Sequence, residues 1–526
     1  MSGFERRSVL AGLGVGLGAG LLLSAGRAGA ARSPVAQTRH GPVRGSTEAG
    51  INVFKGVPYG ADTGARRFQA PVPPEPWTEA REALAYGPAS PQSRGGEATS
   101  EDCLHLNLWT PGLRDGARRP VMVYIHGGAY STGSGSSPLY DGARLARRGD
   151  VVVVTLNHRL NAFGYAYLAR LVPELADSGN AGQLDLILAL RWVADNIAAF
   201  GGDPGKVMVF GQSGGGAKVA TLMATPAAKG LFQRAATMSG QQVTASGPGN
   251  ATRRTLAWLD ALKLKPEQAS LVRTLPIDRL VEALTALDPV LGFGGLYFGP
   301  VLDERSLTRH PFYPDAPTQS AKIPMIIGNT HDETRAFLGG DPTNFTVDWA
   351  RLPAKLTQAN MRVDIDPATV IAAYRRLYPA YSASDVLFAT TTAARSWRAA
   401  IIEAEERAKA GTPAYVYQVD WVSPREGGRF GAPHMTDIPL VFDNVAASGS
   451  NAIGPTAQPM ADAMSEAFLA FARTGDPNCK AIPRWEPYGL ARRQTMVFDA
   501  PPRLVDDPRG AERRLFEKVP FVQAGT

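Results

Sequence analysis

The apolar run Val207-Met-Val-Phe210 stops at Gly211-Gln-Ser-Gly-Gly215 and passes at once into Ala217-Lys-Val-Ala-Thr-Leu-Met223. A buried strand, a Gly-x-Ser-x-Gly turn and a helix in direct succession leave a chain few options. The turn must be sharp, and it lifts Ser213 clear above a sheet as a nucleophile elbow. Glycines flank the serine because a Cβ there would collide with the neighbouring strand and helix. The pattern alone is weak, since a chain with 56 glycines makes Gly/Ser turns by accident. Its partners carry the argument.

An elbow of this kind predicts the chain order Ser, acid, His. Of seven histidines, three lie beyond Ser213: His310, His331 and His434. His310 sits in a Pro/Tyr-rich loop, and His331 is two residues from Glu333. His434 lies in the Gly/Pro loop Phe430–Pro439, after the strand-like run Ala414–Val419. A loop at a strand end can reach over an elbow, so His434 is the candidate base. The candidate acids are Asp332 and Glu333, at the end of the short apolar run Pro324-Met-Ile-Ile327. The residues themselves leave both open.

Acyl chemistry also needs backbone N–H groups aimed at a developing oxyanion. The buried-strand run Val121–Ile125 ends in His126-Gly127-Gly128. Two glycines there let the backbone approach a substrate. The candidate donors are Gly127, Gly128 and the residue after the serine, Gly214.

These motifs stand in a longer ordered set. Phe54-Lys-Gly-Val-Pro-Tyr59, Arg67-Phe-Gln-Ala-Pro71 and Glu101-Asp-Cys-Leu-His-Leu-Asn-Leu-Trp109 precede the glycine turn. Asn157-His-Arg-Leu-Asn-Ala-Phe-Gly164 and the run from Ala189 to Pro204 lead to the elbow, and Phe471-Ala-Arg-Thr-Gly-Asp-Pro477 closes the set. From about Val35 to about Tyr488 the chain resembles the type-B carboxylesterases. That resemblance implies an α/β-hydrolase fold: a mostly parallel central sheet flanked by helices, with helical cap insertions. It implies ester hydrolysis through Ser213, His434 and Glu333, because Gly328-Asn-Thr-His-Asp-Glu333 matches the family's acid motif in spacing, with Thr330 in place of an Asn. The same triad would serve a carbamate, amide or lactone, and some family members keep the fold as non-catalytic adhesion proteins.

Three departures stand out. Gln212 replaces a Glu before the serine, Gly214 replaces an Ala after it, and Met435 replaces a Gly after the histidine. Met435 is expected to pack rather than to narrow the pocket. The family often pairs the cysteine of Glu101-Asp-Cys103 with one upstream, but Ser90 stands there. Cys103 and Cys479 are therefore expected to be free. The loop Gln92–Ser100 contains no aromatic residue and carries Arg94, so poor selectivity for a choline head is expected.

A hydrophobic share of 44% and the absence of any clear linker suggest one catalytic domain, 31–526. The cap is expected from Asn250 to Asp288, with Leu256, Leu259, Leu262 and Leu264 as its apolar stripe, and from Asp348 to Arg407. Residues 1–30 read as a twin-arginine export signal: Arg6-Arg7, an apolar stretch to Ser24, then Ala28-Gly-Ala30. That stretch is too short and glycine-rich to span a membrane comfortably. The expected location is secreted or periplasmic, with no stable membrane insertion after the signal is removed. Without residues 1–30 the formal net charge falls from +7 to +5, and no basic run interleaves with aromatics. No nucleic-acid partner is expected. Neither a metal-ligand pattern nor a nucleotide loop appears, so no cofactor and no metal is expected. The expected partner is a small-molecule ester.

Overall fold

The computed structural model describes residues 33–93, 96–523 and 525–526. Both the segment 1–30 and Arg94 lie outside the described residues. The described strands are, in chain order, β1 (Val35–Gln37), β2 (Pro42–Arg44), β3 (Ser46–Glu48), β4 (Ile51–Pro58), β5 (Arg81–Glu82), β6 (His105–Thr110) and β7 (Arg119–Ile125). They continue with β8 (Val152–Leu156), β9 (Gly202–Gln212), β10 (Arg234–Met238), β11 (Met325–Thr330), β12 (Ala414–Val419), β13 (Gln494–Phe498) and β14 (Arg503–Asp506). β1, β2 and β5 form a small sheet. The other strands form one large sheet in the order β14, β13, β12, β11, β10, β9, β7, β8, β6, β4, β3.

The stretch from β13 to β8 is parallel throughout, and antiparallel pairing is confined to the two edges. The central strands read as unbroken apolar runs because a parallel sheet is covered on both faces. Val121, Val123, Val207 and Val209 belong to one core, with Leu186, Leu190 and Val193 from the helix Ala181–Asn196. Met122, Tyr124, Met208 and Phe210 belong to the other. There they meet Met460, Met464, Phe468 and Phe471, one face of the helix Ala457–Thr474 at helical spacing. Each fully buried side chain of this size contributes about 1.5–3 kcal/mol.

β8 lies on one side of β7 and β9 on the other, so the strand order reverses between them. Crevices at such a reversal, at the carboxyl ends of the strands, are where open α/β sheets bind ligands. β7 ends at Ile125, just before Gly127 and Gly128, and β9 ends at Gln212, just before Ser213. β11 ends three residues before Glu333, and β12 leads into the loop that carries His434.

Of the expected apolar stripe, Leu259 and Leu262 are buried and Leu264 packs against the same core, whereas Leu256 is half-buried outside it. The helix Pro248–Ala261 also buries Ala251, Arg254, Thr255 and Trp258. Trp258 joins these leucines in the core of the insertion, and its indole donates to Leu280 O at 3.1 Å. Cys103 is buried, Cys479 is half-buried, and both are free. No described helix is long and apolar enough to cross a membrane.

Candidate active site

Ser213 sits at φ 57°, ψ −128°, between β9 and the helix Gly214–Ala224. A non-glycine residue held there is strained, and surrounding packing must impose it. The packing is visible at Gly215, where an added Cβ would stand 1.9 Å from Ile125 O. The helix therefore lies so close to the end of β7 that only glycine fits.

A cavity of about 420 Å³ opens over Ser213. Gly127, Gly128, Gly214 and His434 also line it, so five of the six residues expected to act face one space. Glu333, the sixth, is fully buried behind His434, and its Oε2 contacts His434 Nδ1. It also accepts from Thr330 N at 2.8 Å. Burial pushes the Glu333 carboxyl up, but the charge and hydrogen bond of His434 outweigh it and hold the group below its ordinary range. Asp332 points elsewhere: it pairs with His331 and Arg335 and accepts from Ala432 N. Among the described residues, the N–H groups of Gly127 and Gly128 have no protein acceptor. They remain available to an oxyanion.

Three features of the site were missed in the residues. The first is Gln212. Its side-chain amide lies 3.1 Å from His434 Nε2, and no hydrogen bond joins Ser213 to His434. The same amide nitrogen is 3.4 Å from Nδ1, so it lies against the imidazole ring rather than in line with the Nε2 lone pair. Catalytic hydrogen bonds are often long or unformed before substrate binds. The second is Phe337, whose ring centroid is 4.6 Å from that of His434. The third is Lys218, one turn along the elbow helix, which is fully buried and donates to Ala129 O and His126 O in the glycine turn. Burial lowers its ammonium to about 7. Beneath that turn, His126 and His158 stack with centroids 4.7 Å apart. Burial first, and the Lys218 charge second, hold both rings neutral. A lysine inside a small-residue helix carries no sequence signal of this contact.

Met435 overturns one expectation. It lines the cavity, is 37% exposed, and has φ 76°. Its backbone keeps the conformation that suits a glycine, so the side chain is turned into the pocket rather than packed.

A model of the carboxylesterase family matches residues 32–516. The para-nitrobenzyl esterase of Bacillus subtilis (strain 168) is 34% identical over 499 residues, which covers 91% of this chain and 98% of that relative. The phenmedipham hydrolase of Pseudarthrobacter oxydans is also 34% identical, covering 91% and 96%. Among solved structures, a carboxylesterase of Geobacillus stearothermophilus matches with a TM-score of 0.82 at 37% identity, covering 92% of this chain and 99% of that one. With the fold, the elbow and these matches together, the chain belongs to the carboxylesterase family, and it is an α/β-hydrolase that acts as a carboxylic ester hydrolase.

Proposed function

We propose that hydrolysis runs through an acyl-enzyme on Ser213, with His434 as general base and Glu333 as the acid that orients it. His434 Nε2 takes the Ser213 proton as Oγ attacks the ester carbonyl. Glu333 holds Nδ1–H and stabilises the imidazolium that forms. The N–H groups of Gly127, Gly128 and Gly214 receive the oxyanion. His434 then protonates the departing alcohol, and water attacks the acyl-enzyme by the same route in reverse. One observation supports this reading: the buried Glu333 carboxylate contacts Nδ1 of His434, and His434 and Ser213 line one cavity.

The test is a panel of 4-nitrophenyl esters of graded acyl length and a para-nitrobenzyl ester, run beside a 4-nitroanilide and an aryl carbamate. The esters should turn over fastest, and an organophosphate should label Ser213 alone. Labelling at another serine overturns the assignment. We also propose that residues 1–30 direct twin-arginine export to a secreted or periplasmic location. Arg6-Arg7, the apolar stretch and Ala28-Gly-Ala30 support this.

A further inference from the structure

Two arginines reach the catalytic cavity from elements far apart in sequence. Arg395 belongs to the π-helical turn Ala393–Trp397, set between the helices Ala383–Thr392 and Arg398–Lys409. A π turn breaks the ordinary stagger of a helix and re-aims the side chains it carries, and such turns recur at functional sites. Arg362 caps the short helix Gln358–Met361 at φ 61°. Its carbonyl accepts from Val522 N at 2.7 Å, and Val363 bridges to Phe521, so the C-terminal segment holds it in place.

Neither guanidinium has an acidic partner. Among the described residues, no carboxylate oxygen lies within 4.0 Å of either group. The contrast with nearby Arg335 is direct, since it pairs with both Asp332 and Asp385. Arg395 lies against the Phe337 ring, 4.8 Å from its guanidinium carbon, Phe337 in turn packs on His434, and the Tyr297 phenol lies close enough to act on both arginines. The carboxylate whose charge acts on Arg395 is Glu333, which His434 already engages. Burial, and then the Arg362 charge, lower Arg395 to about 10, and burial also lowers Arg362; a guanidinium is cationic at neutral pH. Two like charges that share a half-buried pocket repel each other and are poorly solvated. A planar carboxylate relieves both penalties, because each guanidinium offers it a bidentate fork.

We infer that this pocket selects esters whose acyl or alcohol part carries a carboxylate, held by Arg362 and Arg395 while the ester carbonyl sits at Ser213. The inference rests on the serine-esterase reading given above. Two guanidinium groups in the pocket would also disfavour a choline head, with no part for Arg94.

Two matched pairs test it. On the acyl side, mono-4-nitrophenyl adipate is compared with 4-nitrophenyl 5-carbamoylpentanoate. On the alcohol side, 4-carboxyphenyl butyrate is compared with 4-carbamoylphenyl butyrate. Each pair differs only by a carboxylate in place of its neutral amide. In at least one pair kcat/KM should favour the anion about tenfold or more, mostly through KM. That ratio should fall toward one in Arg395→Gln and Arg362→Gln, and a ratio is insensitive to the amount of folded protein. Ratios near one in both pairs, or a preference that survives the double variant, overturn the inference. Adipate binding to Ser213→Ala by calorimetry gives a second readout that needs no turnover. It should be measurable at pH 7 and lost when both arginines become Gln; no binding, or binding that persists without them, counts against the pocket. If neither member of either pair is hydrolysed, the serine-esterase reading fails, and the adipate result alone decides the arginine pocket.

Discussion

Lys218 Nζ lies 2.7 Å from Ala129 O, so the elbow helix holds the glycine turn that presents Gly127 and Gly128. The ammonium also reaches His126 O at 3.3 Å and sits 5.1 Å over the Tyr130 ring. Nucleophile and oxyanion donors are thereby tied through one side chain. Lys218→Met removes both hydrogen bonds and keeps the apolar stem. It should lower kcat about 10- to 100-fold, at or below the loss seen on deleting one oxyanion donor. KM should change little, and the melting temperature should hold or rise, because a costly buried charge is gone. A kcat within twofold of wild type contradicts the clamp.

Gly214 is the other half of that contact. A Cβ there would stand 2.0 Å from Ala129 O and 2.4 Å from its Cα, both backbone atoms that no rotamer change can move. Gly214→Ala should therefore push the glycine turn away from Ser213. Overpacking of this sort costs about 1–3 kcal/mol. Steady-state assays should show lower kcat, and calorimetry should show a lower melting temperature. An alanine variant as active and as stable as wild type would mean that the turn is free to shift.

The proposed triad separates Glu333 from its neighbour. Ser213→Ala and His434→Ala should each lower kcat by about four orders of magnitude or more while circular dichroism stays native. Glu333→Gln should also be severe, because it leaves Nδ1–H without its carboxylate. Asp332→Asn should cost less than about tenfold, since Asp332 is occupied by His331, Arg335 and Ala432 N. Equal losses for the two acidic positions would sink the assignment.

A charge at position 212 would act on the base, because the uncharged Gln212 amide lies against the His434 ring. Gln212→Glu places a buried carboxylate there, and a neighbouring negative charge favours the charged imidazole. The acid limb of the kcat/KM profile should move to higher pH than in wild type. An unmoved limb means that residue 212 does not face the ring in the working enzyme.

Glu403 ties stability to pH. It is fully buried and accepts from Gln242 N and Thr237 Oγ1, each at 3.0 Å. Burial outweighs those bonds and pushes its carboxyl up from 4.5 to about 8. The folded protein thus holds a proton that the unfolded chain has released. The resulting stability is fully present below pH 4.5 and is lost as pH rises toward about 8. Calorimetry at pH 5, 6.5 and 8 should show Glu403→Gln losing less stability with pH than wild type. Parallel curves for the two proteins would refute this.

What the residues alone determined was local. The elbow, the glycine turn and the strand ends were legible because each is set by short-range sterics: apolar runs that must be buried, and glycines where no Cβ fits. Chain order narrowed seven histidines to three and the loop after a strand pointed to His434, while the choice between Asp332 and Glu333 needed the family pattern. The tertiary structure decided what shares the pocket. Gln212 on His434, Lys218 beneath the glycine turn, Met435 in the cavity and the unpaired Arg362 and Arg395 leave no local trace. Each depends on crossovers and helical insertions that bring together residues up to hundreds of positions apart. A buried lysine or an unpaired arginine reads in sequence like any surface charge, because its environment comes from distant segments rather than from its neighbours in the chain.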